Sequence, residues 1–185
     1  MPRHPNILAS RKTALLIIDM QEKFAPAIPD YDTIEGRIIT MAKAFNVLDL
    51  PIFCTEQYPK GLGRTTKALK KNISDRPVIE KLRFSAAGEP ELTNALLERG
   101  IGHIVLAGIE THVCILQSAL DFTGMGYDVH VVRDATASRR SSDRDVALER
   151  LKQNGVTVSC VESVLFELIV LSGTDQFKQI SKLIK

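Results

Sequence analysis

The chain has no tryptophan, and only 5% of its residues are aromatic. It also has no long basic run, so a nucleic-acid surface built on base stacking and phosphate contacts is not indicated. Its three cysteines, Cys54, Cys114 and Cys160, are odd in number and form no CxxC. That argues against a disulfide framework and points to a reducing compartment. No apolar run approaches membrane-spanning length, and Met1-Pro-Arg-His-Pro-Asn6 contains no apolar signal core. A cytoplasmic protein with no membrane or nucleic-acid partner is expected. An excess of one charge is also missing: 24 basic residues face 22 acidic ones, for a net charge of +2.

What is present suits one globular domain. The chain has 185 residues, of which 44% are hydrophobic, enough for a sizeable core. Residues 1–12 are polar and proline-containing and read as an N-terminal arm. Thr13-Ala-Leu-Leu-Ile-Ile-Asp19 is apolar without alternation, the pattern of a strand covered on both faces. Further strands are expected at 50–55, 77–81, 103–107, 127–132 and 156–160. Between and after them, helices are expected at 33–48, 91–99, 115–125, 142–153, 163–171 and 174–184, with a helical turn in 65–72. Polar loops are expected at 56–64 and 133–138.

Strand and helix alternate six times, which predicts a three-layer α/β/α fold around a six-stranded parallel sheet. Such sheets bind ligands beyond the carboxyl ends of their strands, where strand order reverses. Asp19, Glu56, Lys81, Cys114 and Asp134 all fall at or after those ends. In a Rossmann-like order, 3-2-1-4-5-6, strands one and four are neighbours, so Asp19 and Cys114 come side by side. Lys81 is then two strands from Asp19, roughly 10 Å at ordinary strand spacing, and a lysine side chain can cover much of that gap.

Cys114 is a candidate nucleophile on its own terms. The run His103-Ile-Val-Leu-Ala107, then Gly108-Ile-Glu-Thr-His-Val-Cys114, then an amphipathic segment reads as strand, turn and helix. Cys114 then lies in the first turn, where the helix end favours thiolate, and Thr111 stands where an N-cap hydroxyl would.

Three segments resemble a known family. Leu-Leu-Ile-Ile-Asp19-Met-Gln21-Glu-Lys-Phe24, Glu80-Lys81-Leu-Arg-Phe-Ser85 and Gly108-Ile-Glu-Thr-His-Val-Cys114 are similar to the isochorismatase-like cysteine hydrolases. That superfamily includes nicotinamidases and N-carbamoylsarcosine amidohydrolase. The resemblance covers about residues 12–172, and the loop Thr55-Glu-Gln-Tyr-Pro-Lys-Gly-Leu-Gly63 is most like the isochorismatase domain-containing subgroup.

The resemblance implies an Asp19–Lys81–Cys114 triad that hydrolyses a small amide or acyl compound through a thioester-type intermediate. It implies a cis peptide at Ile109–Glu110 and an oxyanion hole from the N–H groups of Glu110 and Cys114. It also implies a homo-oligomer. Nicotinamidases carry metal-binding histidines after strand two. Here that region reads Glu56-Gln57-Tyr58-Pro59, so no metal and no other cofactor is expected. Cys114 argues against the vinyl-ether cleavage of isochorismatase proper, which lacks that cysteine.

Around the triad, Phe24 and Tyr58 are candidates to wall a substrate pocket, and Glu56 is a candidate substrate contact. Asp134 is expected to order the loop after strand five. Cys54 and Cys160 read as core thiols, and His103 and His130 as structural. His112 is too close in sequence to Cys114 to face it from one helix, so it is not expected to be the base. The apolar stretch 164–171 is open between core packing and an oligomer interface. Two other functions stay open, a non-catalytic binding protein that retains the fold and a redox-active thiol protein. Neither needs Asp19 and Lys81 together.

Overall fold

The computed structural model describes residues 3–73 and 76–184. Its sheet has six strands: β1 (Thr13–Ile18), β2 (Ile52–Gln57), β3 (Val78–Lys81), β4 (His103–Ile109), β5 (Asp128–Ala137) and β6 (Thr157–Ser159). All neighbours pair in parallel, in the order β3-β2-β1-β4-β5-β6. The helices are α1 (Tyr31–Val47), α2 (Pro59–Leu62), α3 (Lys67–Asn72), α4 (Pro90–Glu98), α5 (Leu116–Gly124), α6 (Ser141–Gln153), α7 (Val161–Ile169) and α8 (Asp175–Leu183). Among the described residues, no helix is long and apolar enough to cross a membrane.

β1 explains why its sequence does not alternate. Successive side chains point to opposite faces of a strand. Leu15 and Ile17 join one core with Ile38, Met41 and Phe45 of α1 and Leu165 and Leu168 of α7. Leu16 and Ile18 join the other core with Leu92 and Leu96 of α4, Phe122 of α5 and Leu151 of α6. Both faces are buried, so every position after Thr13 is apolar.

Several boundaries differ from the sequence reading, each for a reason seen in the packing. β2 runs on through Glu56 and Gln57, because Gln57 pairs in register with Lys81 of β3. β5 extends into the expected polar loop 133–138, as far as Ala137. Thr136 and Ala137 pair with Gly108 and Ile109 beyond a register shift, and Ala135, Thr136 and Ala137 are small enough to be buried there. Asp134 therefore lies within a strand. Its carboxylate accepts the Val161 N–H at 2.9 Å, capping α7. Cys160 is only partly buried, with Sγ 3.1 Å from Ser163 Oγ, so it is not a core thiol; Cys54 is one.

The N-terminal arm is docked. Leu8 is fully buried, its N–H donates to the Glu167 carboxylate at 3.0 Å, and Ser10 Oγ donates to Leu168 O at 2.7 Å. Residues 1 and 2 of the expected arm lie outside the described residues. The stretch 164–171 is divided: Val164, Leu165 and Leu168 are core, while Phe166, Val170 and Leu171 are exposed.

Gly108 of β4 sits in register with Ile18 of β1. Its φ is +123°, and a Cβ there would lie 2.0 Å from Ile18 O, a backbone atom. Gly108→Ala is expected to destabilise the fold by at least about 2 kcal/mol, through backbone conflict at a position only glycine fits. Urea unfolding of the variant against the parent checks this.

His103 and His130 form a buried edge-to-face pair with ring centroids 6.3 Å apart. Burial lowers the His130 pKa below its ordinary 6.5. Below pH 6.5 the unfolded chain then binds more protons than the folded one. Stability is complete above that value and falls as the pH drops toward the folded pKa. Melting temperature should therefore decrease from about pH 7.5 to about pH 5.5. A His130→Leu variant should lose part of that decrease, and an unchanged slope would refute the assignment.

Candidate active site

The register that sets the sheet also assembles the site. Ile18 of β1 pairs with Gly108 of β4 on one side and Thr55 of β2 on the other. Immediately after β1, Asp19 adopts a left-handed backbone with φ +54°, which few residues other than glycine, asparagine and aspartate tolerate. Its side chain is fully buried. Asp19 Oδ1 accepts the Thr55 hydroxyl at 2.7 Å, and Oδ2 accepts from Lys81 Nζ at 2.7 Å.

Lys81 ends β3, and its side chain is also fully buried. Its ammonium donates to Asp19 Oδ2 and Gln57 Oε1, each at 2.7 Å, and lies 3.1 and 3.3 Å from the carbonyls of Phe84 and Arg83. An ammonium has three protons, so four acceptors leave it no spare donor. Lys81 is thereby fixed as a buried positive charge.

Cys114 is nine-tenths buried and lies beside both groups. It is not in the first turn of an α-helix. The segment Thr111–Ile115 is a wide π-turn leading into α5, and the Thr111 hydroxyl caps nothing; it is buried without a partner. Burial pushes the Cys114 thiol up, and the charge of Asp19 pushes further; Lys81 opposes both, with a net rise to about 12. This reverses the expectation of a thiol acidified by a helix end. Burial also raises the Asp19 carboxyl above its ordinary value, with Lys81 restraining it. A protonated thiol beside a carboxylate whose proton affinity burial has raised suits proton transfer from the first to the second.

The peptide Ile109–Glu110 is cis. The Glu110 carboxylate faces away from open solvent and accepts from both Arg139 N and Arg139 Nε at 3.0 Å. His112 Nδ1 is 2.9 Å from Ser138 Oγ. Together these contacts tie the turn after β4 to the end of β5.

The flanking candidates divide. Tyr58, half exposed, lines a cleft of about 590 Å³ with Lys60, Lys81, Leu82, Arg83 and Glu89. Phe24 packs partly buried against the core. Glu56 is already engaged, accepting from Thr65 N and Oγ1 at 2.7 Å and from Arg64 at 2.9 Å. Burial raises its pKa, but the Thr65 and Arg64 contacts outweigh that, and the net shift is downward. Glu56 is an anchor for the loop before α3, not a free substrate contact. A second cleft, about 550 Å³, lies between the loop before α1 and the start of α6, lined by Ile34, Ser138, Arg139, Arg140, Ser142 and Arg144.

Sequence reasoning missed Thr55 and Gln57. Thr55 is a polar residue at the end of an apolar strand, which was the available signal; Gln57 offered none, because the sequence read it as loop. Among the described residues, no three His, Cys, Asp or Glu side chains converge as metal ligands.

Fold and site define a three-layer α/β protein with an acid–lysine–cysteine cluster at the switch point of its sheet. A family model described as Isochorismatase domain matches residues 13–163. The secreted isochorismatase effector Isc1 of Phytophthora sojae is 40% identical over 184 residues, covering 96% of this chain and 87% of that protein. The structure of MAR1 ribonuclease from Caenorhabditis elegans has a TM-score of 0.91 at 35% identity, covering 96% of this chain and 91% of that one. The YcaC gene product of Escherichia coli, described as an octameric hydrolase of unknown specificity, shares the fold with a TM-score of 0.91. It is 23% identical, and the match covers 100% of this chain and 91% of that one. The chain belongs to the isochorismatase family and has its hydrolase fold.

Breaking the buried ion pair from one side leaves a charge without a partner. Lys81→Met is expected to cost about 3–5 kcal/mol, while Asp19→Asn/Lys81→Met should cost less than the sum of the single changes. Chemical denaturation of all four proteins checks this, and strict additivity would contradict the coupling.

Proposed function

We propose that the protein is a cysteine hydrolase that cleaves small non-peptide amides, with Cys114 as nucleophile, Asp19 as proton carrier and Lys81 as fixed charge. The observation that carries this reading is the buried convergence of those three side chains at the switch point. A structural ion pair alone would not call for a thiol against it.

The thiol is protonated at rest, so attack is coupled to proton transfer. Cys114 Sγ bonds to the amide carbon while its proton passes to Asp19, and the carbonyl oxygen takes the electron pair. The backbone N–H groups of Glu110 and Cys114 are assigned to that oxygen. Collapse breaks the C–N bond, and Asp19 returns the proton to the departing amine. Water then attacks the thioester and gives its proton to Asp19. Cleavage of the C–S bond releases the acid, and the sulfur regains its proton. Lys81 stabilises the negative charge shared between sulfur and carboxylate throughout. No step calls for a metal.

Tyr58 is assigned to the wall of the cleft beside Lys81, and Phe24 to its support. The exposed Phe166, Val170 and Leu171 fit a subunit contact, which makes a homo-oligomer part of this reading. Its three cysteines are unpaired, which fits a reducing compartment, and we assign it to the cytoplasm although the Phytophthora relative is named as secreted.

The test is a screen of small amides for ammonia or amine release, with Cys114→Ala, Asp19→Asn and Lys81→Met beside the parent. Each variant should lose at least about 100-fold in kcat, and Cys114 should carry an acyl group that hydroxylamine removes. The acidic limb of kcat/KM should lie above the usual Asp value near 3.8, because burial raises the Asp19 carboxyl. Turnover that survives Cys114→Ala refutes the reading. The nematode relative is named a ribonuclease, so single-stranded RNA belongs in the screen. Cleavage of RNA independent of Cys114 would place the activity elsewhere.

A further inference from the structure

We infer that Gln57 is a positioning residue of this site, holding the Lys81 ammonium where its charge acts on Cys114. The inference rests on the cysteine-hydrolase reading for its catalytic meaning, and on geometry for the rest.

Gln57 is the last residue of β2 and is paired in register with Lys81, the last residue of β3. Register partners on parallel strands project to the same side of the sheet, so the two side chains meet. Gln57 Oε1 accepts from Lys81 Nζ at 2.7 Å, as short as the Asp19 contact. Gln57 Nε2 donates to Leu82 O at 2.9 Å. A flipped amide would set its NH₂ against an ammonium and its oxygen against a carbonyl, so these contacts select one orientation.

The backbone of Gln57 is held just as firmly. Its N–H donates to Gln21 Oε1 at 2.8 Å, and Gln21 Nε2 donates to Gln57 O at 3.0 Å and to Gly63 O at 2.6 Å. Gln21 is fully buried and follows Asp19 by two residues. The segment that supplies the carboxylate thus also braces the residue that aims the lysine.

The chemistry of the acceptor matters. Gln57 is neutral, so it binds the ammonium without cancelling its charge. A carboxylate in its place would compete with Asp19 for Lys81. An apolar residue would remove one of the two short contacts on the ammonium, leave it to Asp19 and the two longer carbonyl contacts, and free it to turn away from the thiol. Lys81 favours the Cys114 thiolate, so a displaced lysine should leave less thiolate and a slower sulfur.

The experiment reads Cys114 alkylation by iodoacetamide at about pH 8, with Cys54 and Cys160 replaced. Four proteins form a cycle: parent, Gln57→Leu, Asp19→Asn/Lys81→Met, and the triple variant. Gln57→Leu should slow alkylation about tenfold in the parent, the effect of about one unit in thiol pKa. It should change the rate less than about twofold where Lys81 is absent, because Gln57 acts through that ammonium. Thermal melts confirm that each variant is folded, and Gln57→Met, closer in shape, repeats the cycle if leucine is not tolerated.

An unchanged rate in Gln57→Leu overturns the inference. So does an equal loss with and without Lys81, which is what a purely structural role produces. The cycle needs no substrate. If turnover proves independent of Cys114 while the cycle behaves as stated, the catalytic reading fails and the positioning of Lys81 stands.

Discussion

The contact between Asp19 and Lys81 sets the terms for everything around it. Both side chains are fully buried, and taking each charge out of water costs several kcal/mol. Their mutual attraction does not offset that unless the remaining hydrogen-bonding capacity is met. The structure meets it from strand ends: Thr55 on the second carboxylate oxygen, Gln57 and two carbonyls on the ammonium. Every one of those partners is polar, placed in or beside an apolar strand, and explained by the pair. Cys114 then sits against a charged cluster whose own needs are already satisfied.

This arrangement changes how the cysteine should be understood. A thiol at a helix end in contact with solvent would ionise early. Cys114 is buried against a carboxylate and is held protonated. The proposed reaction accordingly draws on Asp19 as an adjacent acceptor for the proton, not on a standing thiolate. The same burial that raises the thiol also raises Asp19.

Much of this was legible before any coordinates. Six alternating strand and helix patterns gave the sheet, and the reversal of strand order brought Asp19 and Cys114 together by topology alone. The reach of Lys81 across β2 followed from strand spacing. What was not legible depended on register. Glu56 and Gln57 looked like the start of a loop, and only pairing with β3 shows that they continue β2. Glu56 turned out to be saturated by Thr65 and Arg64, while its neighbour Gln57 took the polar contact at the site. Asp134 and the segment through Ala137 looked like a polar loop, because a strand of small residues beyond a register shift carries no alternation. The π-turn at Thr111–Ile115 has no sequence signature of its own.

The clustered side chains come from strands and strand ends, whereas the two clefts, only the first of which reaches the cluster at Lys81, are walled largely by loops. Tyr58 and Lys60 belong to the segment after β2, Leu82 and Arg83 to the one after β3, and Arg139, Arg140 and Ser142 to the junction before α6. These walls can be rebuilt by substitution or insertion with little disturbance to the buried charges. On the proposed reading, diversification on this scaffold is uncoupled from its chemistry: a lineage can drift from one compound to another while the buried cluster stays put.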